Sequence, residues 1–489
     1  MQAKPCQRSG ILDEPVEDLA QVLGRRTSTE CSEIPVGVAH GAGKHVHRIV
    51  QGIDLTASQN QLLLGDANIS FPAARHVVPL TTHLAAVPPG PTGWFGLGQR
   101  MPAPATEPLP ARSRCNWFCH DKTLVMRPRL SVHQTRCMAI DLPAPATGFS
   151  SDNSAGTHPL VLEALARANA GHALAYGNDP FTAAARLAFD ELFGRHVETL
   201  FVWNGTGGNV LALATLQRPG GAVVCTDSAH LHVDETGAPE RVVGTKLLTV
   251  PHANGKLLPH HIASHAAALG VIHHAQPCTV SITQATEYGT VYSPAEIATI
   301  CDEAHRHGMK VHLDGARIAN AACALGGSVE ALRSFTVEAG VDVVTFGGTK
   351  NGMMYGEAVV FLDPALAAGA QYLRKQVTQL PSKMRYVAAQ FSVCLQDGLW
   401  LRTAAHSNAM AARLYEALAD IQSLAIDAPE ANSLYPTLAP AEAAALQAWA
   451  YFYPWDAASN RYRWMTAWDT TPEDVDRFAA GVRSAAGRA

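Results

Sequence analysis

Two short apolar runs end in residues that could share one piece of chemistry. Met309-Lys310-Val311-His312-Leu313 runs into Asp314-Gly315-Ala316-Arg317. Val341-Asp342-Val343-Val344-Thr345-Phe346 runs into Gly347-Gly348-Thr349-Lys350-Asn351-Gly352. Both runs have the length and β-branched content of strands, so Asp314 and Lys350 fall at strand ends. A lysine amine condenses with an aldehyde, and a carboxylate keeps a pyridine nitrogen protonated so that the ring can take up electrons. Pyridoxal phosphate needs such a pair. Structural Asp and Lys at strand ends are common, so the neighbouring residues must decide.

Two more segments bear on this. Asn204-Gly205-Thr206-Gly207-Gly208-Asn209 lies between a strand pattern and a helix pattern. Glycines there let the backbone approach an anion, and free N–H groups with the helix dipole can hold one phosphate. The turn departs from the dinucleotide fingerprint and lacks the lysine of a P-loop. Ser228-Ala229-His230-Leu231-His232 follows the next strand. With 22 histidines in the chain, a bland surface role is the default for each. Position after a strand end raises His230 above that default for stacking on a pyridine ring, with His232 as runner-up.

The elements that must position these residues read as an α/β alternation from Phe149 onward. Strands are expected at Thr199–Trp203, Ala222–Thr226, Lys246–Val250, Cys278–Gln284, the two runs above, and Glu357–Leu362. Helices are expected at Asn209–Gln217 and Pro294–His307. Strands separated by helices imply a mostly parallel sheet covered on both faces, with ligands at the carboxyl ends of the strands. After about residue 370 the pattern is helix-rich, with Leu401–Ile421 as one long helix and short strands around Trp449–Tyr453 and Tyr462–Ala467. The expected division is therefore an N-terminal extension over 1–137, a large domain over 138–369 and a smaller α+β domain over 370–489.

The extension differs in composition. It has no helical or strand periodicity and holds 14 Lys/Arg against 10 Asp/Glu, whereas the remainder holds 23 against 32. It is expected to be disordered and dispensable, with Met138 as a natural start. Cys115, Cys119 and His120, with His45 and His47 as distant partners, lack the paired spacing of a zinc module, so no metal is expected. The chain as a whole has 489 residues, 47% of them apolar, and a formal charge of −5. That balance gives no reason to expect nucleic acid or an anionic membrane surface. No run of apolar residues is long enough to span a bilayer, and the first thirty residues are too acidic for a signal or transit peptide. Ten scattered cysteines read as reduced thiols of a cytoplasmic protein.

Ser151-Asp152-Asn153, Ala175-Tyr176-Gly177-Asn178-Asp179, Asn204-Gly205-Thr206, Ala229-His230, Ile282-Thr283-Gln284-Ala285-Thr286-Glu287, His312 to Arg317 and Phe346 to Gly352 occur in this order. In that order and spacing the chain resembles the low-specificity L-threonine aldolases, including the phenylserine aldolase branch, over roughly residues 147–489. The resemblance implies a fold-type I, aminotransferase-like pyridoxal phosphate enzyme. Lys350 would bind the cofactor aldehyde, Asp314 would pair with the pyridinium, and His230 would stack on the ring and help proton transfer. Gly205 and Thr206 would hold the phosphate. Ser151, Arg317 and Arg463 would clamp the substrate carboxylate, with Tyr176 also on the substrate side. Arg385 would reach a neighbouring subunit's phosphate, in a homodimer or homotetramer. The expected reaction releases glycine and an aldehyde from L-threonine, L-allo-threonine or phenylserine. Alternatives are a β-eliminating lyase or an aminotransferase on the same fold, and a non-enzymatic regulatory module.

The chain departs from the family pattern in places. Glu287 stands where some threonine aldolases carry a second histidine. Gly207-Gly208 replaces the more usual alanines, which is expected to loosen the helix start. The region Leu434–Ala448 matches poorly, and residues 1–137 have no counterpart.

Overall fold

A strand whose every residue is buried must be covered on both faces, and the central strands of this protein are of that kind. The computed structural model describes residues 140–487, all within one compact unit spanning His120–Ala489. Among the described residues a seven-stranded sheet comprises β1 (Glu198–Val202), β2 (Gly221–Thr226), β3 (Lys246–Val250), β4 (Gln276–Thr283), β5 (Lys310–Gly315), β6 (Val343–Gly347) and β7 (Glu357–Phe361). Their order is β1-β7-β6-β5-β4-β2-β3. Only β7 runs against its neighbours; the other pairs are parallel. The α/β class with a mostly parallel sheet is the one expected.

Side chains alternate between two cores with the period of the pleat. Phe201, Val344, Phe346, Ala358 and Val360 enter the larger core, where Phe189 and Phe391 meet them. Leu200, Val202, Val343, Val359 and Phe361 point to the other face, against Leu211 and Ala212 of the helix Gly205–Leu216. That helix starts four residues before the expected Asn209. Asn204 caps it by accepting the Gly207 N–H at 2.8 Å, so the glycines belong to its first turn.

A second, three-stranded sheet has the order β8-β10-β9, with β8 (Ser433–Leu434), β9 (Tyr453–Asp456) and β10 (Arg461–Met465). The strand expected over Trp449–Tyr453 is displaced. Residues up to Trp449 form a helix, Pro440–Trp449, and the strand starts at Tyr453. Pro440 opens that helix, and Glu442 accepts the Ala439 N–H at 3.1 Å. The buried Ala443 and Leu446 then fix its inner face. The long helix runs from Leu399 to Glu416 and ends before Ile421. Its first turn still packs on the larger core through Trp400, as do Met384, Val387 and Phe391. The second core draws on Leu414, Phe452, Trp464 and Phe478, and on Phe149 from ahead of the large sheet. Phe149 stacks on Phe478 with centroids 4.2 Å apart, and its carbonyl accepts the Met465 N–H at 2.9 Å. This anchor lays the segment Ser150–Asp152 beside β10.

Residues 1–137 and the five candidate metal-site residues within them lie outside the described residues. Among the described residues no group of three His, Cys, Asp or Glu could hold a metal ion, and no helix is long and apolar enough to cross a membrane.

Candidate active site

Asp314 and Lys350 come together because β5 and β6 are parallel neighbours. Asp314 lies opposite Thr345 in that pairing and opposite Thr283 of β4 on its other side. The loops leaving β5 and β6 touch backbone to backbone. A Cβ on Gly347 would lie 2.5 Å from the Ala316 carbonyl oxygen, and one on Gly315 2.7 Å from that of Thr345. Only glycine permits the approach. The result is a cleft whose walls include Gly205, Thr206, His230, Asp314, Arg317 and Lys350.

Asp314 is buried and held from two sides. Its Oδ2 accepts a hydrogen bond from Asn209 Nδ2 at 2.8 Å, and its Oδ1 accepts the Ala316 N–H at 3.0 Å. Asn209 Nδ2 also donates to Glu235 Oε1 at 2.9 Å, and the same oxygen pairs with His230 Nδ1 at 3.0 Å. Asp314, Asn209, Glu235 and His230 thus form one hydrogen-bonded chain. The bond to Glu235 raises the His230 pKa; burial opposes this and Asp314 adds to it. Lys350 goes the other way. Burial pushes its ammonium pKa down and the Arg317 charge pushes further, against Asp152, Asp314 and Glu357. The shift is toward the nucleophilic free amine.

Arg317 makes a two-pronged pair with Asp152, Nε to Oδ2 at 2.7 Å and Nη2 to Oδ1 at 2.9 Å. Burial alone would raise the Asp152 pKa, but Arg317 and Lys350 outweigh it and the net shift is downward. Arg463, on β10, stacks 4.6 Å over the Trp455 ring and donates from Nη2 to the Ser150 carbonyl at 3.3 Å. Its Nε is buried without a partner among the described residues, and burial together with Arg317 lowers its pKa. Two guanidinium groups on one side, one of them with an unused donor, suit a carboxylate ligand. Ser151 sits next to this pair, but its Oγ accepts the Asn153 N–H at 3.2 Å as a local cap.

One end of the cleft is built for a phosphate. The first N–H groups of the helix Gly205–Leu216 have no intrahelical acceptor, and a Cβ at Gly205 would meet nothing within 4 Å, so that side is open to an anion. With the depressed Lys350 amine and the fixed Asp314 carboxylate opposite, the residues fit pyridoxal phosphate. The two glycines also have close neighbours: a Cβ on Gly207 would meet the end of the Gln379 side chain at 2.2 Å, and one on Gly208 would meet Thr345 Cγ2 at 2.7 Å.

The profile of the β-eliminating lyase family matches residues 148–439, more than half of the chain. The chain belongs to this family. Two relatives narrow the placement. A low-specificity L-threonine aldolase of a Pseudomonas species is 41% identical over 338 residues, covering 69% of this chain and 97% of the relative. One from Pseudomonas aeruginosa is 42% identical, covering 68% and 96%. The solved threonine aldolase of Leishmania major superposes with a TM-score of 0.63 at 32% identity, covering 68% of this chain and 98% of that one. This β-eliminating lyase family member therefore belongs with the low-specificity L-threonine aldolases. A serine palmitoyltransferase of Sphingomonas wittichii, at 17% identity and a TM-score of 0.54, shares the fold.

Two residues that the resemblance placed at the site lie elsewhere on this chain. Tyr176 is exposed, at a φ of 61°, with Lys375 5.0 Å over its ring. Arg385 donates to the Gly171 carbonyl at 3.1 Å on a separate surface depression formed with Ala173 and Lys383. His232, the runner-up to His230, is not in the cleft wall. Three residues were missed: Asn209, Glu235 and Asp152. Asn209 could have been noticed as the polar residue in the apolar run Val210 to Leu213, and Asp152 as the acid beside Ser151. Glu235 carries no signal without the fold.

Proposed function

We propose that the protein is a pyridoxal-phosphate-dependent aldolase that cleaves L-threonine, L-allo-threonine and related β-hydroxy-α-amino acids such as phenylserine to glycine and an aldehyde. The observation that carries this reading is one cleft holding a lysine with a lowered ammonium pKa, a buried aspartate fixed by Asn209, and Arg317, with Arg463 close enough for the two guanidinium charges to act on each other. In it Lys350 Nζ would hold the cofactor aldehyde carbon, and Asp314 would keep the pyridine nitrogen protonated. Bound there, pyridoxal phosphate supplies a sink for the electron pair left at Cα. Gly205 and Thr206 would take its phosphate on their N–H groups, and His230, fixed through Glu235, would lie along the ring. Arg317 and Arg463 would grip the substrate carboxylate and so choose which Cα bond is presented for cleavage. His230 also stands as a group that can hold or move a proton beside the reacting carbon.

A second reading, β-elimination, takes its support from the description of the matched family. Product analysis separates the two. Glycine and acetaldehyde are expected from L-threonine, with faster cleavage of phenylserine and no turnover of D-threonine. Ammonia with a keto acid, or pyridoxamine phosphate with a keto acid and no glycine, would refute the aldolase reading. We further propose a cytoplasmic homodimer or homotetramer. The outward positions of Tyr176 and Arg385 support the oligomer, since neither residue lines the cleft of its own chain. No nucleic-acid or membrane partner is proposed.

A further inference from the structure

Glu287 lines the cleft, and none of the roles above uses it. The residue is held at three points. Its Oε1 accepts the His230 N–H at 2.9 Å and the Thr283 hydroxyl at 2.7 Å, and its carbonyl accepts the Tyr435 hydroxyl at 2.7 Å. Its Oε2 is buried and has no partner among the described residues. A buried acceptor left unmatched is costly, about 1–3 kcal/mol and more for a charged group, so the arrangement calls for a donor from a ligand. The neighbouring His230 ring is tied up at Nδ1 by Glu235. Asn209 Oδ1 and Glu235 Oε2 are also buried without a partner among the described residues, but both side chains belong to the hydrogen-bonded chain to Asp314 and that of Glu235 has no exposed surface, whereas Glu287 keeps 9% exposure. The donor that a β-hydroxy-α-amino acid brings, and glycine lacks, is the β-hydroxyl.

We infer that Glu287 is the catalytic base for that hydroxyl, taking its proton on Oε2, a role that rests on the aldolase reading above. The hydroxyl O–H bond breaks as the proton moves to the carboxylate. The oxygen's electron pair forms the aldehyde C=O, the Cα–Cβ bond breaks, and its electron pair stays with Cα, stabilised by the cofactor of the proposed activity. A proton then arrives at Cα to complete glycine, and Glu287 gives up its own, so the turnover is proton-neutral. Geometry makes the assignment, and electrostatics agrees with it. Burial pushes the Glu287 carboxyl pKa up, the His230 N–H and the Thr283 hydroxyl pull it partly back, and Asp314 adds to the rise. A base with a raised pKa takes a hydroxyl proton more readily near neutral pH. The charged and titratable groups around it are His230 and Glu235 after β2, Asp314 in the end of β5 and Arg317 beyond it, Lys350 after β6, Tyr435 beside the second sheet, and Cys225, Tyr288 and Tyr292, which feel its charge.

The test compares wild type, Glu287→Gln and Glu287→Asp in three readouts: phenylserine cleavage across pH, affinity for glycine from the cofactor absorption, and thermal stability of the apoprotein. Glu287→Gln is expected to lower kcat by roughly 100-fold or more and to erase the acidic limb of the kcat/KM profile. Its glycine affinity should stay within about threefold of wild type, because glycine has no hydroxyl to lose. Glu287→Asp should recover part of kcat together with an acidic limb, and it keeps the question open to measurement should the glutamine variant fail to fold. Unchanged kcat in Glu287→Gln would overturn the assignment. So would a loss of glycine affinity as large as the loss in kcat, which would mark Glu287 as holding the cleft's shape. If wild type itself released no glycine from any β-hydroxy-α-amino acid, the aldolase reading would fall and this inference with it. Cleavage by wild type with an unaffected variant defeats the inference alone.

Discussion

Replacing Asp152 by asparagine asks whether Arg317 is held in the cleft by charge or by shape. Asp152 is 2% exposed and meets Arg317 through two parallel hydrogen bonds of 2.7 and 2.9 Å. Asparagine keeps the volume and one acceptor, but it removes the charge and turns an amide N–H toward a guanidinium N–H. The guanidinium then stays buried next to Arg463 with only the more weakly coupled Asp314 as counter-charge. Breaking one side of a buried pair costs about 3–5 kcal/mol. For a folded part of about 350 residues the unfolding entropy is near 0.7 kcal/mol/K, so the melting temperature should fall by roughly 4–7 °C. The sign with pH follows from the lowered Asp152 pKa in the fold. Such a group contributes stability above its unfolded pKa and loses it as pH falls through the folded value, so wild type and variant should converge from about pH 4 downward. Scanning fluorimetry of the apoprotein, with and without glycine, gives the answer. Glycine should raise the variant's melting temperature more than that of wild type, because its carboxylate supplies the missing charge. A melting temperature within about 1 °C of wild type at pH 7, with no added response to glycine, would show that the charge pair does not hold Arg317.

Lys350→Ala should purify without the visible absorption of a lysine-bound cofactor while keeping wild-type circular dichroism; retained absorption and turnover would remove Lys350 from its role. Arg463→Ala should raise KM for the amino acid by roughly 10- to 150-fold, from the 1.5–3 kcal/mol of a lost charge-assisted hydrogen bond, and lower kcat less. An unchanged KM would take Arg463 out of the clamp. Glu357, buried beside Lys350, has its pKa pushed up to about 7 by burial, although the Gly348 N–H and Thr349 pull it down. A carboxyl with a raised folded pKa keeps its proton in the fold longer than in the unfolded chain, so stability falls as pH rises from about 4.5 to about 7. Glu357→Gln should abolish about 3 kcal/mol of that fall, as read from urea unfolding at pH 5 and pH 8. Parallel losses in the two proteins would contradict the shift.

Asp314 and Lys350 were legible because parallel strands declare themselves as apolar runs, and the residue after each run inherits a known place at the carboxyl edge. His230 followed by the same reasoning, whereas Arg317 came only from the family resemblance. The strand misplaced at Trp449–Tyr453 shows where composition misleads. Trp449, Tyr451, Phe452 and Tyr453 read as a strand, yet Pro440 and Glu442 had already capped a helix that carries through Trp449. The supporting residues were hidden for another reason. Asn209 meets Asp314 across 105 positions, and Arg317 meets Asp152 across 165, so their partners exist only once the chain has folded. The close approach of Gly207 to Gln379 and of Gly208 to Thr345 was also beyond the sequence, because both neighbours arrive from distant parts of the chain.

The charges of the cleft fall into two separate circuits, and Lys350 stands between them. Asp314, Asn209, Glu235 and His230 are linked on one side, while Asp152, Arg317 and Arg463 neighbour one another on the other. Asp314 and Asp152 each favour the Lys350 ammonium, Arg317 disfavours it, and burial disfavours it most. An unpaired Arg317 would push the lysine further toward the free amine and leave two guanidinium groups repelling each other. A carboxylate placed against Arg463 Nε relieves that repulsion and satisfies the orphaned donor. The same anion would also withdraw part of the positive field that lowers the Lys350 pKa. Substrate binding and the proton affinity of the lysine are therefore coupled through Arg317, and Asp152 limits how far that coupling can swing.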